Sequence, residues 1–334
     1  MIKRKFILLL LLILAIAGCQ TKKYGYVKIM GTAQGSSYHV TYENSPGKDI
    51  KEQIDSILNE IDFTLSIFNP KSIISRINTN EPNVKFNEMF RIVFEKSVEV
   101  NRNSDGAFDP TVGPLVSVWG FGPKKHQKVR KSQIDTLLQF VGMDKVTIAG
   151  NKVIKKYRQV CLDFNAIAQG FSVDVICKFL DSLEIKNYLV EVAGELRTKG
   201  KNAKGEDWKV GIDKPVDESA PGEHIQTVLT LSNKAVATSG DYRKFFIQDG
   251  IKYAHHIDPK TGYPAKQNLL SASIIANDCI TADAYGTACM VMGLEKSKLF
   301  LSAHPELDAY LIYSDNKGNI CEYVTPGANK ILKH

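Results

Sequence analysis

Apolar residues recur at three- and four-residue intervals in several stretches of the chain. Ile54, Leu58, Ile61 and Leu65 show this spacing most clearly, and it places all four on one face of a helix. The periodicity and the capping signals predict helices over residues 50–68, 87–101, 132–140 (with Ser132 as the N-cap), 165–183, 281–292 and 294–302. Helices therefore dominate the first half of the chain.

Strands are predicted where short runs alternate or stay apolar, mostly in the second half. They cover residues 37–42, 145–148, 188–192, 208–212, 227–231, 271–275 and 309–313. Because no helix separates each pair, we expect an α+β fold with a mostly antiparallel sheet and flanking helices. No Gly-x-Gly-x-x-Gly opens a helix after a strand, so any nucleotide site must be built in another way.

The first residues carry a targeting pattern. Three cations within residues 1–5 precede an apolar run over residues 6–17. This run is shorter than a typical transmembrane helix. The run ends in Ile16-Ala17-Gly18-Cys19, which is similar to the lipobox of bacterial lipoproteins. An ordinary signal peptide or an uncleaved anchor is the alternative. We predict a signal peptide over residues 1–18, a tether lipidated on the Cys19 sulfur over residues 19–26, and one domain over residues 27–334.

Charge and cysteine content exclude some classes of protein. The formal net charge of +7 falls to about +4 without the leader, so no basic stripe for nucleic acid is expected. Besides Cys19, five cysteines remain, and this odd number excludes a full disulfide framework. The residues next to these cysteines are apolar, which is typical of buried thiols. One disulfide among the five is the alternative. These five cysteines are Cys161, Cys177, Cys279, Cys289 and Cys321.

Two segments rich in glycine could approach a ligand. Met30-Gly31-Thr32 precedes a strand, where glycine permits close backbone approach or simply makes a turn. Residues 108–122 hold two prolines and several glycines, which predict a rigid loop. Trp119 and Phe121 in this loop are flat rings that could wall a planar heterocycle, and core packing explains them equally well.

A third segment, residues 162–170, lies where a strand ends and the next helix is predicted to begin. Backbone N–H groups at a helix start favour phosphate or carboxylate oxygens. Asp163 could accept a hydrogen bond from a ligand. The alternative, which is the commoner use of these residue types, is that Asp163 or Asn165 caps the helix.

The fourth segment combines a turn with a helix. Asp-Pro-x-Thr-Gly over residues 258–262 predicts a tight turn that fixes His255 and His256. Asp283 and Thr287 are four residues apart, so a helix presents both oxygens on one face, as a hard cation such as Mg²⁺ requires. Helix capping is the common alternative. A zinc site at the histidines ranks low, because no third ligand lies at zinc-ligand spacing.

Taken together, these segments resemble the ApbE family of FAD:protein FMN transferases, over roughly residues 30–293. Each motif is weak alone, but the ordered set is specific. The matching segments are residues 30–32, 72–78, 108–122, 163–174, 194–196, 237–243, 255–262 and 282–287.

The resemblance implies an ApbE-like, T-fold-like architecture with FAD in a cleft, and it assigns roles to residues. Ala166 (through its backbone carbonyl), Asp283 and Thr287 fall at Mg²⁺ positions. His255 falls at the family's histidine and is the candidate catalytic base, whereas His256 stands where the family often has an apolar residue. The FAD-contact positions are Met30, Phe68, Trp119, Gly120, Phe121, Asp163, Gln169 and Ile257.

Two positions depart from the family pattern. Gln169 stands where the family often has lysine, so it lends no positive charge to a diphosphate. Phe68 stands where some relatives have tyrosine, which removes a hydroxyl and keeps a ring.

The implied function is Mg²⁺-dependent transfer of the FMN half of FAD to a Thr or Ser hydroxyl of an acceptor protein, with release of AMP. The implied acceptors are subunits of Na⁺-translocating quinone reductases or Rnf-type complexes. The lipid anchor would hold the enzyme on the extracytoplasmic side of a membrane, with the inner membrane favoured. The rival functions are Mg²⁺-dependent FAD hydrolysis to FMN and AMP, a non-catalytic flavin-binding lipoprotein, and a general solute-binding lipoprotein.

Overall fold

A computed structural model describes residues 25–44, 49–122, 129–217, 222–242, 245–248, 251–265 and 268–333. The predicted signal peptide, Cys19 and nearly all of the predicted tether lie outside the described residues, as does Arg243 of the segment 237–243. Within the ranges described, no helix is both long and apolar enough to cross a membrane.

Eight strands form one sheet in the order β1-β2-β5-β6-β9-β12-β13-β14, and all neighbours pair antiparallel. The remaining strands make three hairpins, β3–β4, β7–β8 and β10–β11. The predicted antiparallel α+β class is therefore confirmed. The strands are β1 Tyr26–Ala33, β2 Ser36–Glu43, β3 Val146–Ala149, β4 Lys152–Lys155, β5 Tyr188–Val192, β6 Glu195–Lys199, β7 Trp208–Asp213, β8 Ile225–Leu231, β9 Ala235–Gly240, β10 Phe245–Gln248, β11 Ile251–Ala254, β12 Leu269–Ala276, β13 Asp308–Ser314 and β14 Ile320–Val324.

Each predicted helix corresponds to an observed one, with shifted ends. The helices are α1 Lys51–Leu65, α2 Ile73–Asn78, α3 Glu88–Asn103, α4 Gly113–Val118, α5 Lys131–Leu138, α6 Ala168–Ser182, α7 Cys279–Met292, α8 Leu294–Ala303 and α9 Pro326–Asn329. Ser132 is not an N-cap: α5 begins earlier, because the Gln133 side chain accepts a hydrogen bond from the Arg130 N–H at 2.9 Å.

Helix α6 begins three residues later than predicted. Residues 163–167 form a turn in which the Asp163 carboxylate accepts the Asn165 N–H at 2.9 Å. The residue at the helix N-cap is Ile167, which has no side-chain cap. Neither Asp163 nor Asn165 therefore caps α6, so the alternative that these residues serve as a helix cap is wrong.

Helix α7 is the centre of the core. Eleven of its 14 residues are buried, because it packs against β9, β12 and α6. Small residues permit this close packing: a Cβ added at Gly170 of α6 would lie 2.7 Å from the Asp283 Cβ. The carboxylate of Asp283 on α7 is therefore placed inside the molecule and not on its surface.

The five described cysteines are free thiols, so the single disulfide that the sequence left open does not form, and Cys161 and Cys321 are only partly buried. Cys177, Cys279 and Cys289 are buried, and burial raises the pKa of each of these thiols. Buried thiols with raised pKa values are poor nucleophiles and poor metal ligands.

Candidate active site

A cavity of about 610 Å³ opens between the start of α6, helix α7, the end of β9 and the segment that follows β11. This volume is typical of a cofactor or substrate site. The structure brings nine of the predicted site residues to its lining. They are Phe68, Phe121, Asp163, Ala166, Gln169, His255, Ile257, Asp283 and Thr287.

Asp283 and Thr287 lie one turn apart on α7 and face the cavity. They do not cap this helix, since the N-cap is Asp278, whose side chain accepts the Thr281 N–H at 3.0 Å. Asp283 is 5% exposed. Ala166, in the turn before α6, lines the same cavity. The three residues predicted to supply oxygen donors to a cation therefore line one cavity, although they come from two distant parts of the chain.

Burial makes ionisation of Asp283 costly. Burial, with a smaller contribution from repulsion by Asp174, raises the pKa of this carboxyl to about 7, whereas the Gly170 N–H, which donates to Asp283 Oδ2 at 2.9 Å, opposes the shift. A divalent cation beside the carboxylate would offset the cost. The donor types, a carboxylate, a hydroxyl and a backbone carbonyl, are those that Mg²⁺ prefers. The residues present therefore fit this ion.

Asp174 holds the two helices of the site together. Its carboxylate, on α6, accepts the N–H groups of Cys279 and Ile280 at 2.8 and 2.9 Å, at the start of α7. It also pairs with Arg197 of β6 at 2.7 Å. Burial raises the pKa of Asp174. Because Ala166 precedes α6 and Asp283 lies on α7, this link joins the two parts of the chain that carry them.

The described lining of the cavity is acidic. Its five acidic residues are Asp62, Asp109, Asp163, Glu195 and Asp283, and none of its described residues is lysine or arginine. The Gln169 side chain, at the position where the family often has lysine, adds no charge. An anionic ligand such as a diphosphate would be repelled here unless a cation accompanied it.

The segment after β11 supplies the histidines. Gly262 closes the predicted turn, with φ of 74° and its N–H donating to the Asp258 carbonyl at 2.8 Å. His256 is buried, and its Nδ1–H donates to the Asp241 carboxylate at 2.6 Å. The rings of His255 and His256 lie 4.0 Å apart. The turn thus fixes His255 on the cavity wall, where its ring meets the edge of Phe121 at 6.2 Å.

Three predicted FAD-contact residues do not line this cavity. Trp119 is 5% exposed, its indole N–H donates to the Gly262 carbonyl at 2.9 Å, and its ring stacks on Tyr253 at 5.5 Å. The packing interpretation of this ring is therefore the one that the structure supports. Gly120, with φ of 85°, ends the turn after α4. Met30 is 63% exposed and borders a separate shallow depression beside β1.

Sequence reasoning missed two lining residues at the β1–β2 turn. Gln34 and Gly35 both have left-handed backbone, with φ of 53° and 73°. The Gln34 side-chain amide donates to the Ser172 hydroxyl on α6 at 2.5 Å, which joins the turn to the site. A Gln-Gly pair between two alternating runs signals a hairpin, but it does not show that the hairpin reaches α6.

Fold and site together define a class: α+β proteins with an acidic cavity whose lining brings the carboxylate and hydroxyl of one helix together with a pair of histidines. Residues 34–311 match the model of the ApbE family. The chain belongs to the ApbE family.

Individual relatives agree with this assignment. The chain is 35% identical to an FAD:protein FMN transferase of Haemophilus influenzae, over 96% of this chain and 94% of the relative. The solved structure of the flavin transferase ApbE from Vibrio cholerae superposes with a TM-score of 0.83 at 32% identity and covers 92% of this chain and 99% of its own. The apo flavinyl transferase ApbE of Pseudomonas stutzeri gives 0.82 at 29% identity, over 94% and 98%.

Proposed function

We propose that this protein transfers the FMN half of FAD to a threonine or serine hydroxyl of an acceptor protein in a Mg²⁺-dependent reaction that releases AMP. Membership of the ApbE family and relatives named FAD:protein FMN transferase support the reaction. One observation of the structure carries the metal requirement: five acidic side chains and no described lysine or arginine line the cavity.

The need for a cation follows from charge. The diphosphate of FAD is anionic, and phosphoryl transfer depends on positioning and on neutralising its oxygens. Asp283, Thr287 and the Ala166 carbonyl are the donors that would hold Mg²⁺. When bound, this ion would supply the positive charge that the described part of the lining lacks. The N–H groups at the start of α6 add partial positive charge on the same side of the cavity.

The protein supplies position and a proton acceptor. The acceptor hydroxyl oxygen bonds to the FMN-side phosphorus, the bond from that phosphorus to the bridging oxygen breaks, and AMP leaves with that oxygen. The hydroxyl proton goes to a ring nitrogen of His255, because histidine exchanges protons near neutral pH and a hydroxyl is a weak nucleophile without a base. Asp174, which links α6 and α7, keeps the metal donors in register during the reaction.

Aromatic rings at the mouth of the cavity suit the flavin. Phe68 lines the cavity and is exposed, and Phe121 lines it beside His255. An aromatic ring gains from stacking on another flat ring, and exposed apolar rings gain from being covered. We therefore place the isoalloxazine against these phenylalanines and the diphosphate against Asp283.

The decisive test mixes the purified protein, FAD, Mg²⁺ and an acceptor fragment, and measures the acceptor mass. We expect the FMN mass on the acceptor and AMP in equal amount, with both lost after chelation of Mg²⁺. Asp283→Ala should abolish transfer and leave part of the FAD binding. Glu52→Gln is the matched control, since Glu52 is an exposed carboxylate on α1 outside the cavity lining.

The same mixture distinguishes the rivals. Rapid release of free FMN with an unmodified acceptor would establish FAD hydrolysis instead. Intact FAD that stays bound whether or not Mg²⁺ is present would establish a flavin-binding protein. Full transfer by Asp283→Ala would remove the metal assignment.

We also propose that lipid on Cys19 anchors the enzyme to the extracytoplasmic face of the inner membrane, beside electron-transport acceptors of the quinone-reductase or Rnf type. The leader pattern of residues 1–19 supports this placement. Cys19→Ser should release the protein from membranes, as fractionation would measure. A Cys19→Ser protein that stays bound to membranes to the wild-type extent would contradict the proposal.

A further inference from the structure

A second cluster of metal-ligand side chains lies at the wall of the cavity. Asp241, His255 and His256 each offer a ligand atom, and these three atoms lie within 4.8 Å of one another. The cluster is separate from the oxygen donors of α7. The proposed reaction uses one ring nitrogen of His255 and leaves the other two members without a chemical role.

The fold brings these residues together across the β10–β11 hairpin. Asp241 directly follows β9, and His255 directly follows β11. The ends of these two strands therefore lie close together. His256 is 4% exposed and holds the Asp241 carboxylate through its Nδ1–H at 2.6 Å. The His255 ring lies against the His256 ring, with the ring centres 4.0 Å apart and the ring planes tilted by 39°. Asp241 is therefore the third ligand that sequence spacing did not offer to the paired histidines.

The donor set selects a different metal from the α7 site. Two imidazole nitrogens and one carboxylate oxygen are typical ligands of Zn²⁺, which often keeps a fourth position open toward a cavity. Mg²⁺ prefers oxygen and would not compete well for the nitrogens. Tetrahedral bonds of about 2.0 Å place ligand atoms about 3.3 Å apart. Rotation of the half-buried Asp241 and His255 side chains around the fixed His256 supplies the required movement, and it lengthens the 2.6 Å contact between the Asp241 oxygen and His256 Nδ1.

We propose that Asp241, His255 and His256 form a second metal site, which binds one Zn²⁺ ion. The His256 proton moves from Nδ1 to Nε2, so that the neutral ring ligates the ion through Nδ1 beside Asp241. The ion also takes the lone pair of a His255 nitrogen. If the proposed function is correct, the occupied site removes the base, and Zn²⁺ stops FMN transfer while Mg²⁺ remains on α7.

Binding is measured on the full-length protein in detergent, stripped of metal and without FAD, by titrating Zn²⁺ against a chromophoric chelator. We expect one site, and an affinity at least about tenfold weaker in His256→Gln and in Asp241→Asn. Asp283→Ala should keep wild-type affinity, which places the ion away from α7. His39→Gln is the matched control, because His39 pairs with Glu191 outside the cavity.

X-ray absorption of the wild-type protein with one equivalent of Zn²⁺ tests the ligands without any variant. Two imidazoles in the coordination shell are expected. A shell with fewer than two, unchanged affinity in His256→Gln, a loss of affinity in Asp283→Ala, or no binding at all would overturn the second site.

Activity gives a separate result. One equivalent of Zn²⁺ should stop FMN transfer in excess Mg²⁺, and a chelator selective for Zn²⁺ should restore it. Undiminished transfer with the site filled would overturn the inhibitory part. If no FMN is transferred even without Zn²⁺, the proposed function fails, and the Zn²⁺ affinities measured without FAD still decide whether the site exists.

Discussion

Replacing Asp283 with asparagine should stabilise the metal-free protein at alkaline pH. The side chain keeps its size and can still accept the Gly170 N–H, but it no longer has to ionise inside the core. Burial and the nearby Asp174 raise the pKa of the native carboxyl from its ordinary 3.8 to about 7. Its ionised form is therefore the one that folding disfavours.

The magnitude follows from the difference between the two pKa values. Between pH 4 and 7 the folded protein holds a proton that the unfolded chain has lost, so the free energy of unfolding falls as pH rises. At about 1.4 kcal/mol per pKa unit, the penalty is about 2 kcal/mol at pH 5 and about 4 kcal/mol at pH 8, above which it stays constant. Below pH 4 the native and variant proteins should be equally stable.

Urea unfolding of both proteins at pH 5 and pH 8, without metal, measures this difference, and the other titrating groups largely cancel. Between pH 5 and pH 8, the free energy of unfolding of the variant should rise by about 2–3 kcal/mol relative to that of the wild type. Saturating Mg²⁺ at pH 8 should stabilise the wild type and leave the variant unchanged, because only the wild type keeps the carboxylate.

Two outcomes would refute this reasoning. A stability difference that does not change between pH 5 and pH 8 would mean that the folded protein does not perturb the carboxyl. Equal stabilisation of both proteins by Mg²⁺ would mean that the ion binds elsewhere.

Three other substitutions test the framework of the site. Gly170→Ala adds a Cβ 2.7 Å from the Asp283 Cβ, so we expect a loss of about 1–3 kcal/mol in urea and weaker Mg²⁺ binding. Asp174→Ala leaves Arg197 without its carboxylate and should cost about 2–4 kcal/mol, less than for a fully buried pair because the Arg197 side chain is 31% exposed. Trp119→Phe removes the donor to a buried carbonyl and should cost about 1–3 kcal/mol, while FAD affinity by fluorescence quenching stays near that of the wild type.

Each of these has its own control. Gly25→Ala, at a glycine with no atom within 4 Å of the added Cβ, should leave stability unchanged. Asp174→Asn should recover part of the loss, since an amide oxygen still accepts the N–H groups of α7. Phe121→Leu should weaken FAD binding. If Trp119→Phe instead lost more FAD affinity than Phe121→Leu, the indole would have to contact the flavin, contrary to our interpretation.

Local pattern determined much of this protein. The helix that carries Ile54, Leu58, Ile61 and Leu65 was predictable, because the 3.6-residue period of a helix can be recognised in a short stretch of sequence. Strand β5 and the turn of residues 258–262 were predictable for the same reason, since alternation and a Pro-x-x-Gly step act over a few bonds. The oxygen pair on α7 was also local, because four residues make about one helical turn.

Tertiary structure decided which of these residues share a site. Trp119 and Phe121 have equivalent local context, yet only the Phe121 ring faces the cavity, because the indole N–H bonds a carbonyl more than a hundred residues away. Asp241 joins the histidines because the β9 and β11 ends converge, and Ala166 lines the same cavity as Asp283 because Asp174 links α6 to α7. Such meetings depend on strand order and helix packing, which spacing along the chain does not encode.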